Sequence, residues 1–414
     1  MKSSSGGVAA AGETEPLAPR SRRKDEQTVA SSSSLQSFLN HIPISAIPSV
    51  HASVPVLEVR FDDCVEHAIR LMYENNVFGA PIVDTGDALS TRNPMDKDIG
   101  LIEFSSLLLW SLKEIDKVEI ESKGSNHGFL DVLKQNSHIG QTKIAELAKS
   151  FLWEPFFPAY EVDTLFHALL LFSKHHRLNV IPVVDQSKCT VSGFISQHAV
   201  IELLLQSNGL EWFDKVAEKS LLEYGLIDSA GVVSIYSDQT LVDVLHILWD
   251  KQINGVPIVD RRSGLLIGSV KRSDIYLLVK DDSLFSKRKT LTIEEFSKIR
   301  KAAQDSNLST KTELASVGLL RLENSNLPKT SNPVVLRKHD SLKKTMELML
   351  VSLSEICFLV SDSGELEGMV TLKDILLPFS PPSMDSRIDG GGFFKSVLYQ
   401  TGSYVDDGGM VRRT

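Results

Sequence analysis

The chain has 414 residues, with 44 lysines and arginines against 53 aspartates and glutamates, a net charge of −9 and 42% hydrophobic residues. That length admits two or three domains with sizeable cores, and the acidic balance excludes a general nucleic-acid-binding surface. Cys64, Cys189 and Cys357 show neither a CxxC pair nor zinc spacing, so they read as reduced core residues with no metal site; the longest apolar stretch, 101–112, carries Glu103 and serines and is too short to cross a bilayer.

Residues 1–34 are rich in Ser, Ala, Gly and charge and lack the apolar core of a secretory signal. A disordered N-terminal segment is expected over 1–50. Within it, Arg20, Arg22, Arg23 and Lys24 read either as a short nuclear signal or as solvated charge, with Asp25 and Glu26 following.

Beyond this segment one apolar strand recurs: GAPIVD at 79–84, VIPVVD at 180–185, GVPIVD at 255–260 and ICFLVS at 356–361. Aligning Pro81, Pro182, Pro257 and Phe358 gives spacings of 101, 75 and 101 residues, a rhythm of two pairs. An amphipathic helix precedes the strands, as in Leu165, Ala168, Leu169, Phe172 or Leu241, Val244, Leu245, Leu248. Asp163-Thr164, Asp238 to Thr240 and Asp340-Ser341 offer cap oxygens at the helix starts. After each strand come a turn, with Gly264 and Gly364 in two of them, a second strand and a second helix. The second strands share a glycine, Gly100, Gly193, Gly268 and Gly368, which marks a bulge or a close backbone approach.

The fold expected is therefore α/β, four β-α-β-β-α units. One such unit leaves a sheet face and a helix face bare, so neighbours must stack. The spacing rhythm puts one module at 51–210 and a second at 211–380, with a flexible tail over 381–414. Inserts at 85–98 and 116–141 decorate the first module and 281–331 the second, where 292–302 has helical spacing suited to covering an edge or meeting a partner.

With the repeated strand and the helix opening TLKD, the pattern resembles the cystathionine-beta-synthase (CBS) domain, four copies in tandem. Four copies without a catalytic or channel domain resemble the gamma subunit of AMP-activated protein kinase. TKIAEL and AEKSLLEYG are similar to the lead-ins of gamma-subunit repeats; YENNVFGAPIVD, IGLIEFSSLLLW, AKSFLWEPFF and LLLQSNGLEWFD look like the plant gamma-like regulatory subunits of the sucrose-non-fermenting-related kinase. The resemblance implies a pseudo-symmetric disk of two modules and a non-catalytic regulatory subunit. It also implies kinase catalytic and beta subunits as partners, and AMP, ADP or ATP as a regulatory ligand whose sensing is reduced or lost. A free-standing sensor of an adenosine-type ligand in the second module is the alternative. Neither nucleic acid nor a membrane is expected as a partner, and the location implied is cytoplasmic, with the nucleus as a further possibility.

In adenylate-binding members of that family an acid six residues after the shared glycine holds the ribose hydroxyls, because two carboxylate oxygens can accept from two adjacent hydroxyls. The positions here are Ser106, Ala199, Asp274 and Asp374, so the resemblance makes Asp274 and Asp374 the ribose candidates. Thr371 is a phosphate or helix-start candidate, and with Asp374 it also makes a capping box, a reading that uses the same atoms. Basic residues two or three before the strand proline serve the phosphates in gamma subunits; here those positions hold Phe78 and Gly79, Asn179 and Val180, Asn254 and Gly255, Glu355 and Ile356. His176-Arg177-Leu178 lies out of that register. Arg272, two residues before Asp274, is placed as a phosphate-facing cation, and His198 is taken as its counterpart in the second repeat, with a solvated helix start as the other reading of both. No Gly-rich phosphate loop, nucleophile elbow or zinc helix points to an enzyme.

Overall fold

The computed structural model describes residues 35–47, 50, 56–84, 98–118, 128–147, 153–175, 178–188, 190–226, 232–307, 332–380, 403–406 and 409–412, with backbone alone at 98, 153–155, 303–307, 403–406 and 409–412. The candidate basic cluster at 20–24, the His176-Arg177 pair, Cys189 and the inner part of each insert lie outside these residues.

Four sheets recur in one build. A two-residue strand runs parallel to a central strand, which pairs antiparallel with a third. The central strands are Gly79–Val83, Val180–Asp185, Gly255–Val259 and Ile356–Val360. In each repeat the third strand shifts register beside the shared glycine, so that Ile99, Ser192, Ile267 or Glu367 is the extra, bulged residue. Lack of a side chain matters there: a Cβ on Gly268 would stand 3.1 Å from Ile258 Cδ1, and one on Gly368 3.0 Å from Leu359 Cδ1. The bulge expected from the aligned glycines is thus present in all four copies. Where the fourth copy has Phe358 in place of proline, its N–H donates to Val334 O at 2.8 Å; proline has no N–H to give.

A second fourfold feature starts the first helices, Val65–Glu74, Leu165–Lys174, Leu241–Lys251 and Leu342–Ser352. The first N–H of each is one of the helix's orphan donors. Val65 N–H donates to Thr142 O, Leu165 to Ile42 O, Leu241 to Leu291 O and Leu342 to Lys219 O, each at 2.9 Å. Each clasp is reciprocal, for Ile144 N–H donates to Asp63 O, Ile44 to Asp163 O, Ile293 to Gln239 O and Leu221 to Asp340 O, at 2.7–3.0 Å. Ile44, Ile144, Leu221 and Ile293 are fully buried. The clasps cross over: the segment leading into repeat one closes repeat two, and the segment leading into repeat two closes repeat one. Repeats three and four exchange lead-ins in the same way.

Sheet residues join repeat one to two, where Leu101 packs with Val184, Val191 and Phe194, and the turns before the third strands join repeat three to four, where Leu266 N–H donates to Gly364 O at 3.2 Å. Helix faces join the other way. One continuous core holds repeats one and three, with Phe104, Leu108 and Phe129 beside Leu245, Phe285 and Phe296; another holds repeats two and four, with Leu169 and Ile201 beside Met346 and Ile375. At the first of these seams Arg288 pairs with Asp116 at 2.6 Å, both largely shielded from solvent.

Three expectations need correction. Disorder through residue 50 does not hold, because Leu39, Ile44, Ile47 and Val50 are buried in the core of repeats two and four. The inserts are more than decoration: Phe129, Val132, Leu133 and Ile139, and likewise Leu284, Phe285 and Phe296, are core residues. The tail contains an antiparallel pair of strands, Ser403–Asp406 with Gly409–Arg412.

The crossed clasp has a measurable signature. Ile44→Ala and Ile144→Ala should each cost about 2–5 kcal/mol of stability, and hydrogen exchange should rise first in the helix 165–174 for the former and in 65–74 for the latter. Loosening of repeat one by Ile44→Ala would contradict the exchange of lead-ins.

Candidate functional site

The polar centre of the four repeats lies where the second helices begin: Phe104–Lys117, Gln197–Leu205, the 3-10 turn Arg272–Tyr276 and Leu372–Leu376. The bulge in the preceding strand sets the facing of these starts. Their first N–H groups in repeats one, three and four donate to Phe78, Asn254 and Glu355 carbonyls at 2.6–3.2 Å; Gln197 instead sends its side-chain Nε2 to Leu178 O at 3.0 Å. The strand-proximal positions and the helix-start positions therefore meet in one place.

Asp274 is 2% exposed, and its Oδ2 accepts from the Lys271 N–H at 2.8 Å and from Arg300 Nη1 at 2.6 Å. Arg300 also donates to Ser269 O at 2.7 Å. Asp374 differs: it is half-buried, and its Oδ2 accepts from the Thr371 N–H and Oγ1 at 2.8 and 2.7 Å, while Thr371 Oγ1 accepts from the Asp374 N–H at 3.4 Å. That is a capping box, and in both acids these bonds converge on Oδ2. Thr371 is engaged as a cap.

Arg272 reaches across the helix seam to Ser106 Oγ of repeat one, Nη2 to Oγ 2.9 Å, while its buried Nε has no partner among the described residues. Lys271, also buried, donates from Nζ to Ser354 Oγ of repeat four at 2.8 Å; burial lowers its pKa, against the pull of Asp274 and Glu355. Glu355 is solvent-accessible yet deep in the fold, and that depth, with Glu103 nearby, raises its pKa. Glu103 accepts from Asn179 Nδ2 at 2.7 Å. Residues of all four repeats thus meet here, and a carboxylate stands at one of the strand positions that would have to be cationic for phosphate.

His198 does not match Arg272. Counting from the shared glycines, the counterpart of Arg272 is Gln197, and His198 aligns with Ser273 and Lys373. Burial pushes the His198 imidazole down to about 4, despite a hydrogen bond with the Ser354 backbone, and its Nε2 is shielded without a partner among the described residues. Near neutral pH the ring is uncharged. Arg300, Lys271 and Glu355 escaped sequence reasoning as site residues; the signal for Arg300 was the helical spacing of 292–302, which gives no register onto Asp274.

Among the described residues no three His, Cys, Asp or Glu cluster as metal ligands, and no helix is long and apolar enough to cross a membrane. Burial raises the Cys357 thiol to about 12, which keeps it an unreactive core side chain.

The His198 environment predicts a pH slope. A native pKa below the unfolded value means that the unfolded chain binds more protons between about 6.5 and 4, so stability falls as pH drops through that window, by up to about 3 kcal/mol. His198→Gln should remove that component, read as the difference between wild-type and variant denaturant unfolding at pH 6.5 and 4.5. Identical pH dependence in the two would place the imidazole in solvent.

The CBS-domain family model matches residues 148–206, 227–281 and 326–378, the second, third and fourth repeats. A regulatory subunit gamma-1 of SNF1-related protein kinase from Arabidopsis thaliana is 25% identical over 83% of this chain and 82% of its own length. The gamma subunit of 5'-AMP-activated protein kinase from Dictyostelium discoideum is 23% identical over 82% of this chain and 52% of its own. Among solved structures, a Methanocaldococcus jannaschii protein, a proposed archaeal homologue of gamma-AMPK, covers 80% of this chain and 98% of its own at 19% identity and a TM-score of 0.49. Matches to three repeats, a first repeat of the same build and a gamma-1 relative spanning about four-fifths of both chains agree: the chain carries CBS domains and resembles the gamma regulatory subunits of the SNF1-related and AMP-activated protein kinases.

Proposed function

We propose that the chain is a non-catalytic gamma-like subunit that binds the catalytic and beta subunits of a plant kinase of the SNF1-related type, with adenine-nucleotide sensing reduced or lost. The observation that supports reduced sensing is the composition of the centre. Phe78, Asn179, Asn254 and Glu355 stand at the strand positions where phosphate would need cations, and Asp274 is committed to Lys271 and Arg300. A hydrogen bond to a charged group contributes about 1.5–3 kcal/mol, so two missing phosphate contacts move a micromolar site towards millimolar. The regulatory role then rests on the shape that the four repeats present to partners. We place this work in the cytoplasm, with the nucleus a second location through Arg20 to Lys24.

A second reading, a free-standing sensor of an adenosine-type ligand in the module 211–380, is favoured by the half-exposed Asp374 and by the buried Nε of Arg272, which has no partner among the described residues. Two measurements separate the readings. Co-purification of the full chain with kinase catalytic and beta subunits is expected, and failure to associate with either sinks the first. Calorimetry with AMP, ADP and ATP should give no micromolar binding; heat at micromolar ligand that Asp374→Ala removes would establish the second.

A further inference from the structure

The two equivalent acids of one chain differ, and the difference has a single visible source. Asp374 is half-buried and its Oδ2 takes a neutral hydroxyl from Thr371, whereas Asp274 is 2% exposed against the helix Ile293–Asn307 and its Oδ2 takes the charged Arg300. That helix is fixed at its start by the Ile293–Gln239 clasp bond, at 2.9 Å, and by buried Phe296. Two turns on from its start it delivers Arg300, itself 6% exposed, onto Asp274. The corresponding position of repeat one, Ser106, also receives an arginine of this chain, Arg272.

We propose that Arg300 is a specificity-determining residue: as an internal ligand it occupies the carboxylate of repeat three and so excludes a vicinal-diol ligand such as a ribose from Asp274. The inference rests on the reading of reduced nucleotide sensing and names the residue responsible in this repeat. Its chemistry is direct. A guanidinium and a pair of adjacent hydroxyls are both donor forks for one carboxylate, and a buried carboxylate already satisfied by a full charge has no reason to exchange it for neutral donors.

The test is calorimetry of the full chain with AMP and with adenosine, the latter to remove the phosphate from the comparison. Arg300→Met keeps the aliphatic stem packed and frees Asp274; affinity for adenosine should rise at least about tenfold, the scale of one charge-assisted hydrogen bond, and Asp274→Asn added to it should cancel the gain. A folded Arg300→Met chain, checked by circular dichroism, that binds no better than wild type overturns the proposal. If that variant does not fold, Arg300→Gln, which removes the charge and keeps a polar donor near Ser269 O, is read instead: adenosine binding tighter than wild type supports the proposal, and binding no tighter overturns it. Micromolar binding by wild type that depends on Asp374 would overturn the reduced-sensing reading alone; micromolar binding that depends on Asp274 with Arg300 present overturns both.

Discussion

A helix cannot satisfy its own first N–H groups, and here that constraint organises the whole molecule. Val65, Leu165, Leu241 and Leu342 each find a carbonyl on a segment from outside their own repeat unit, and each such segment buries one aliphatic side chain beside the helix it closes. Because the lead-ins of paired repeats exchange places, neither member of a pair can complete its first helix alone. The sheets then follow from the same economy: a short parallel strand, a central strand and a bulged third strand leave one face for the sister repeat and the helices for a repeat of the other pair.

The bulge links this scaffold to the centre. One extra residue in every third strand turns the following helix start inward, so that Glu103, Gln197, Lys271 and Arg272, and Thr371 arrive close to the residues that precede the central strands. What those positions hold decides what the centre can do. Here Lys271 and Arg272 are tied to serines of other repeats, and Glu103 and Glu355 supply opposing charge. The centre thus joins repeats to one another through its own side chains.

Much of the fold was legible because it repeats. Four similar strands, their helical lead-ins and the glycine at each bulge are local patterns, and periodicity exposes them. The N-terminal clasp was not legible, since Leu39, Ile44 and Ile47 form too short an apolar set to signal structure, and only the pocket on repeat two gives them a place. The core role of Phe129 and Phe285, whose rings meet edge-on at 5.5 Å, was hidden for the same reason: the two lie in separate inserts. At the centre, the acids could be read from their distance to the glycine, but Arg300 comes from 26 residues beyond Asp274, and no spacing rule gives the side on which its helix packs.

The crossed arrangement of sheets and helices also bears on how the chain is made. Repeat one shares its helix core with repeat three, through Leu245, Phe285 and Phe296, and repeat two shares its core with repeat four. During synthesis from the N-terminus the helix faces of the first pair must therefore remain uncovered until the second pair has emerged. Contacts so distant in sequence slow folding, and apolar surface exposed in the interval invites aggregation. A nascent chain that had paired only its first two sheets would present bare helices, the kind of surface that chaperones hold.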